Sequence, residues 1–310
     1  MAFLPVSRQR EPDDTDAMNT HEPHTQTIHS FPLPGGSPSQ VAVPAPESGP
    51  QRWAGAPTAM LDSDGTILLS YRVREGSGDR VVLGRSDDGV RFTTITELTA
   101  SELGVAMVER AAQVRTATGW RLYLSCAEPG TKNWWIGLLE SHTLEGLPDA
   151  TLRRLEIGGP LDALKDPIIR HAGGAWQAWI CLHPLDIPGA EDRMSTVYTT
   201  SDDGVHWRQP DTVLAARPGQ WDARGARLTC VLPDGRACYD GRATAEENWF
   251  ERTGLAVPTG DGAHLRALDE GPVADVRYLD VLPLPAGGYR IYYEARRADG
   301  AHELRTELHA

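Results

Sequence analysis

Five copies of one sequence unit, a period near 54 residues and two-residue alternation within each copy predict an all-β chain. The arrangement they favour is a five-bladed β-propeller of four-stranded antiparallel blades. The unit is an apolar run, a turn containing glycine, then an aromatic-rich alternating run. Its copies read PTAMLDSDGTILLSYRVR from Pro57, AAQVRTATGWRLYLSC from Ala111, PIIRHAGGAWQAWICLHP from Pro167, ARLTCVLPDGRACYDGRA from Ala226 and LDVLPLPAGGYRIYYEAR from Leu279. The turn glycines Gly65, Gly119, Gly174, Gly235 and Gly288 lie 54, 55, 61 and 53 residues apart. Such regularity sets the unit apart from a series of unrelated hairpins.

Each copy places its third and fourth strands after a polar loop. In the first, VVLGRSDDGVRFTTI holds an Asp-Gly turn between two alternating runs, and STVYTTSDDGVHWRQP repeats it in the third. The last copy ends at HELRTEL, a third strand with little chain left for a fourth. The alternating segment from Gln40 to Val43 is expected to fill that gap, closing the ring and removing exposed strand edges. Residues 1 to 38, rich in Pro, Ser, Thr, His and acidic residues, read as a flexible arm, and no chemistry is assigned to His21, His24 or His29. The propeller is expected over 39–310 as one domain.

Composition narrows the partners. Hydrophobic residues at 40% and charged residues at 24% give a globular balance. A formal net charge of -13 repels a phosphate backbone, which disfavours nucleic acid and leaves a small-molecule ligand as the expectation. No segment reads as a signal peptide or a membrane helix, so no membrane partner and a cytoplasmic location are expected. Cys126, Cys181, Cys230 and Cys238 show no C-x-x-C spacing and read as buried reduced thiols, with Cys230 and Cys238 able to face each other across a hairpin.

In a propeller the inner strands start on one face, and the loops joining second to third strands return to it. The inner starts here read RWAGAP, VERAA, LKDP, WDARGAR and VRYLD. Glu109, Asp166 and Asp222, from the second, third and fourth copies, are the candidate catalytic carboxylates, suited to acid and base work on an acetal. Pairing with Arg110, Arg224, Arg227 and Arg242 is their structural alternative. Asp240, Arg242, Glu247 and Asn248 form a polar run at a second strand and its top loop. Arg277, Tyr278, Glu294, Arg296 and His302 occupy the corresponding part of the fifth copy. Trp53, Trp134, Trp135 and Trp249 fall on or near these loops, able either to stack on a sugar ring or to pack in the core. No metal-ligand constellation, phosphate loop, nucleophile elbow or dinucleotide fingerprint is visible, so no metal or cofactor is expected.

The Asp166-Pro167 step, the VER step at Glu109 and the YDGRA run resemble the five-bladed glycosidase superfamily, the family-43, family-32 and family-130 carbohydrate-active enzymes. The likeness runs from about residue 50 to the end. Thr200, Asp202, Gly204 and Trp207, and less fully Asp87, Gly89 and Phe92, resemble the Asp-box turn of sialidases and other sugar-acting propellers. The resemblance implies a glycoside hydrolase-like activity on a small glycoside, with Asp166 as the tuning carboxylate and Asp222 as the acid. The blade-one base has no counterpart, because Ala56 stands before Pro57. The family-130 template implies instead one carboxylic acid and a phosphate nucleophile, for which Arg110, Arg224, Arg227, Arg242, Arg277 and Arg296 could form an anion pocket. A non-catalytic sugar-binding propeller and a tailoring enzyme on the same scaffold stay open.

Overall fold

The computed structural model describes residues 31–310 apart from 77, 132 and 261. Most of the expected arm, with its three histidines, lies outside the described residues. The unit Pro32–Ala310 is built of β-strands. It begins with β1 (Gln40–Val43), and then the first repeat supplies β2 (Trp53–Leu61), β3 (Ile67–Glu75), β4 (Gly78–Ser86) and β5 (Thr93–Thr99). The second gives β6 (Met107–Thr116), β7 (Gly119–Ala127), β8 (Trp134–Ser141) and the short β9 (Arg153–Arg154). The third gives β10 (Asp162–Ala172), β11 (Ala175–Pro184), β12 (Ser195–Ser201) and β13 (Asp211–Leu214). The fourth gives β14 (Gly225–Val231), β15 (Ala237–Arg242), β16 (Arg252–Pro258) and β17 (Leu265–Ala267), and the last gives β18 (Arg277–Pro283), β19 (Tyr289–Arg296) and β20 (His302–His309).

Three repeats are separate four-stranded antiparallel sheets, and the first and last are joined into one eight-stranded sheet. The join is a single parallel pairing of Trp53 with His302. β1 pairs antiparallel with β20, Gln40 opposite Thr306 and Val41 opposite Arg305. The first strands meet one another in the order β2, β6, β10, β14, β18 and back to β2.

All five turn glycines sit between a first and a second strand at positive φ, from +75° to +145°. That is the left-handed region, which glycine enters without a Cβ penalty, so the recurrence of glycine marks a recurring backbone need. The Asp-Gly turns also form, but their carboxylates are one residue later than the motif match placed them. Asp88 Oδ1 accepts from the N–H groups of Val90 and Arg91, and Asp203 Oδ1 from those of Val205 and His206. Two and three residues is the reach of an Asx-type turn; Asp202 is too far back and pairs with Arg208 instead.

Apolar cores lie between successive sheets. Leu68, Val81 and Leu83 pack with Leu122, Leu124 and Leu139, while Tyr123, Ile136 and Leu138 pack with Trp176, Ala178 and Ile180. Trp179 and Val213 meet Leu228, Tyr239 and Ala256, and Ile67, Leu69 and Val82 meet Leu282, Tyr292 and Leu304. Each fully buried Leu contributes about 1.5–3 kcal/mol. These cores join the first repeat to the second, the second to the third, the third to the fourth and the last to the first. The four cysteines are buried and unbonded, although Cys230 and Cys238 are direct cross-strand partners.

Candidate active site

Each first strand breaks register once against its second strand. The breaks fall between Gly55 and Thr58, Val108 and Ala111, Lys165 and Ile168, Leu228 and Cys230, and Arg277 and Asp280. A bulge re-aims the side chains it contains. Four of the breaks begin with Ala56, Glu109, Asp166 and Tyr278, and Ala56, Asp166 and Tyr278 have φ of +52°, +54° and +50°. Non-glycine residues in that region cost about 1–3 kcal/mol and persist where the surroundings over-determine them. Before Pro167 the right-handed helical region is disfavoured as well, which helps fix Asp166.

Around these bulges runs a continuous network of buried charges. Glu109 receives Arg72 at 3.3 Å, Arg74 at 2.8 Å and a short contact from Lys165. Arg72 continues to Glu294 at 3.2 Å, and Glu294 takes Arg277 at 2.6 Å, His302 Nδ1 at 2.6 Å and the N–H of Ala56 at 3.2 Å. Arg277 Nε lies 2.7 Å from Glu251 Oε2, a charge contact without hydrogen-bond alignment. Glu251 also takes Arg242, which reaches Asp192 at 3.3 Å, and Asp192 holds Arg224 at 2.6 Å. On the other side, Lys165 is 4.0 Å from Asp166, and Arg227 bridges Asp166 at 3.1 Å and Asp240 at 2.6 Å. Tyr278 donates its hydroxyl to Asp166 at 3.2 Å, accepts from Arg227 at 2.7 Å, and gives its N–H to Asp240.

The electrostatics follow from this geometry. Burial opposes ionisation of Glu109, but Lys165, Arg72 and Arg74 overcome it and hold the carboxyl well below its ordinary range. Glu294 is likewise held down, by Arg277, Arg72 and His302 against burial. Glu251 falls to about 2, where Arg277, Arg227 and Arg242 outweigh the same burial. Asp240 is pushed up because burial outweighs Arg227 and Arg277. Burial lowers His183 to about 4, helped by Lys165, so it is neutral at pH 7. Within the network one buried carboxylate oxygen of a bulge residue has no hydrogen-bond partner: Oδ1 of Asp166, a residue 1% exposed.

The network thus gathers Glu109, Asp166, Arg227, Asp240, Arg242, Arg277, Tyr278, Glu294 and His302. Trp53 joins it, stacked on His302 at 4.8 Å with Arg72, Arg74 and Arg277 around its ring. Asn248 is tied in through Arg242 at 2.8 Å, and Arg224 through Asp192. Four expected residues stand apart. Asp222 precedes β14, and both its oxygens accept from Arg217 Nε, at 3.1 and 2.9 Å, with Tyr239 donating to one at 2.8 Å. Trp221 beside it packs with the interface between the third and fourth repeats. Arg110, in the β6 bulge, turns away from the network onto Thr58, Thr229 and Asp280; Arg296 pairs with Asp275, and Glu247 with Arg252 and the N–H of Ala243. The arginines read as an anion pocket are matched by carboxylates: Arg224, Arg227, Arg242, Arg277 and Arg296 all have close partners.

Sequence reasoning missed Arg72, Arg74, Lys165, Asp192 and Glu251. Arg72 and Arg74 sit at alternate positions of the otherwise apolar LLSYRVR, where a charge on the inward face was the available signal. The carboxylate absent at Ala56 is replaced in space from another repeat. A Cβ on Gly55 would lie 1.8 Å from Glu294 Oε2, so the carboxylate of β19 occupies the place beside the first bulge. Among the described residues no group of three or more His, Cys, Asp or Glu is placed to hold a metal ion, and no helix is long and apolar enough to cross a membrane.

No family model and no curated protein matches the chain. Solved structures do. The β-1,2-mannobiose phosphorylase of Listeria innocua, solved with β-1,2-mannobiose, is 16% identical with a TM-score of 0.60, over 91% of this chain and 93% of that one. A glycosyl hydrolase from Bacteroides ovatus is 15% identical with a TM-score of 0.56, over 89% and 95%. The catalytic domain of an α-L-arabinofuranosidase from Coprinopsis cinerea is 10% identical with a TM-score of 0.58, over 88% and 96%. At these identities the likeness is one of fold, the β-propeller fold of glycoside-acting enzymes.

Proposed function

We propose that this protein is a carbohydrate-active enzyme acting on a small glycoside at the buried ion network, with Asp166 as the group that meets the glycosidic oxygen. The observation that carries the reading is Asp166 Oδ1. It is the free oxygen of a carboxylate otherwise fixed by Arg227 and Tyr278, set in a left-handed bulge where five strands converge. Glu109 and Glu294 are held ionised by their cations and serve to fix Lys165, Arg72, Arg277 and His302 as hydrogen-bond donors to the sugar's hydroxyls. At the rim, Trp134, with Lys165 Nζ 4.2 Å from its ring centre, and the exposed Trp249 offer faces to a sugar.

The scaffold in this reading is a single five-bladed propeller over 39–310, supported by the cyclic order of first strands and by the pairing of β1 with β20. The arm covers 1–38, and the protein works in the cytoplasm without cofactor, nucleic acid or membrane. Because the arginines are matched by carboxylates, hydrolysis by water is favoured over phosphorolysis. Ala56 at the first bulge favours a second reading, a propeller that binds sugar without turning it over.

Sugar release from a panel of aryl-glycosides and disaccharides, β-1,2-mannobiose included, tests this in buffers with and without phosphate. The proposal expects release without phosphate, and its loss by a factor of 100 or more in Asp166→Asn, the range typical of a general acid. Calorimetric binding with no release selects the second reading. Release that requires phosphate selects the phosphorylase, and no sugar bound at all overturns the assignment.

A further inference from the structure

The bulges divide the centre of the molecule. The ion network lies at and before them, while a separate cavity of about 370 Å³ is lined by Arg110 of the β6 bulge and by first-strand residues that follow the bulges, from Thr58 on β2 to Asp280 on β18. Arg110 is the partition. From β6 its guanidinium donates to Thr58 Oγ1 at 3.1 Å and to the carbonyl of Thr229 at 2.6 Å, and lies 3.7 Å from Asp280.

Two buried polar atoms on this wall have no partner. Arg110 uses Nε and Nη2 and leaves Nη1; Gln113 gives Nε2 to the carbonyl of Thr58 at 2.8 Å and leaves Oε1. Arg110 is 1% and Gln113 6% exposed, so each orphaned group costs about 1–3 kcal/mol unless something in the cavity satisfies it. The charges there are also uneven. Arg115 is matched by Asp62, and Arg110 faces Asp280. Arg170 donates only to the carbonyls of Val231 and Leu232 and has no carboxylate partner among the described residues. Met60, Ala112, Val114 and Ile168 supply apolar wall between these groups.

We propose that this cavity is a second ligand site, distinct from the ion network, for a small organic acid carrying a hydroxyl, a hydroxy-carboxylate. The carboxylate answers Arg110 Nη1 and the unmatched Arg170, the hydroxyl donates to Gln113 Oε1, and the carbon skeleton meets the apolar wall. An inorganic anion would use only the first of these features.

Thermal shift and calorimetric titration of the full chain test the site with glycerate as the probe and acetate, which lacks the hydroxyl, as its comparison. Glycerate is expected to raise Tm saturably and to bind about tenfold more tightly than acetate, the worth of one hydrogen bond to a buried acceptor. Gln113→Leu is expected to reduce glycerate to the level of acetate. Arg170→Met, at the rim and away from the Arg110 crossbar, is expected to weaken both about tenfold. Asp166→Asn should leave glycerate binding unchanged. No saturable shift with glycerate, equal binding of the two acids, or full retention in Gln113→Leu would overturn the proposal. Loss in Asp166→Asn would overturn it too, by placing the acid in the ion network.

Discussion

Glu251→Gln removes one charge from the buried network while keeping the side chain's shape. Glu251 is 2% exposed, bonds Arg242 and lies 2.7 Å from Arg277, and its carboxyl falls from an ordinary 4.5 to about 2. That displacement corresponds to about 3 kcal/mol of stability at neutral pH. It agrees with the roughly 3–5 kcal/mol expected when a buried pair loses one partner. The folded-state carboxyl titrates below the unfolded one, so the stabilisation is complete above pH 4.5 and is lost as pH falls toward 2. Wild type and Glu251→Gln should therefore differ by about 3 kcal/mol at pH 7, and the gap should close on acidification as Glu251 itself becomes neutral. Urea unfolding at pH 7, 5, 4 and 3 reads both curves. A gap that is the same at every pH would refute the reasoning, because the loss would then be one of packing and not of charge.

Gly55→Ala places a methyl 1.8 Å from Glu294 Oε2 and must displace that carboxylate from Arg72, Arg277 and His302, so a loss of about 1–3 kcal/mol is expected in denaturant melts. Wild-type stability in this variant would contradict the placement of Glu294. Asp222→Asn, which weakens the Arg217 and Tyr239 contacts, should lower Tm and leave turnover per folded molecule unchanged; an inactive but fully stable variant would return Asp222 to the chemistry. The four thiols should be silent to Ellman's reagent in the native protein and react on unfolding, since burial pushes Cys126 and Cys181 up to about 12. Fast native reaction of any of them would place it at an accessible surface.

The repeat was legible because it rests on backbone chemistry that few residues satisfy. Glycine at five left-handed turns repeats whatever the surrounding sequence, and Asp166 before Pro167 marks a bulge in the same way. Glu109 was legible as a charge inside an apolar strand start. Asp222 stands apart from the network because the register break of β14 falls seven residues later, at Thr229. Bulge position is set by pairing with β15, which the strand's own sequence does not carry. Arg72 and Arg74 were missed for a related reason. Alternation on a second strand looks the same whether the polar face meets solvent or a neighbouring repeat's carboxylates. The pairing of Arg72 with Glu294, and the arrival of Glu294 beside Ala56, depend on contacts between residues more than two hundred positions apart.

The central claim is that sugar chemistry happens at the ion network through Asp166. The most direct measurement is a crystal structure of Asp166→Asn with the glycoside that wild type turns over fastest. The account predicts a sugar within the ring of Trp53, Trp134, Lys165 and Trp249, its glycosidic oxygen within hydrogen-bond distance of the side chain at 166. Sugar density confined to the outer groove between Trp135 and Arg154, with that side chain untouched, would contradict it.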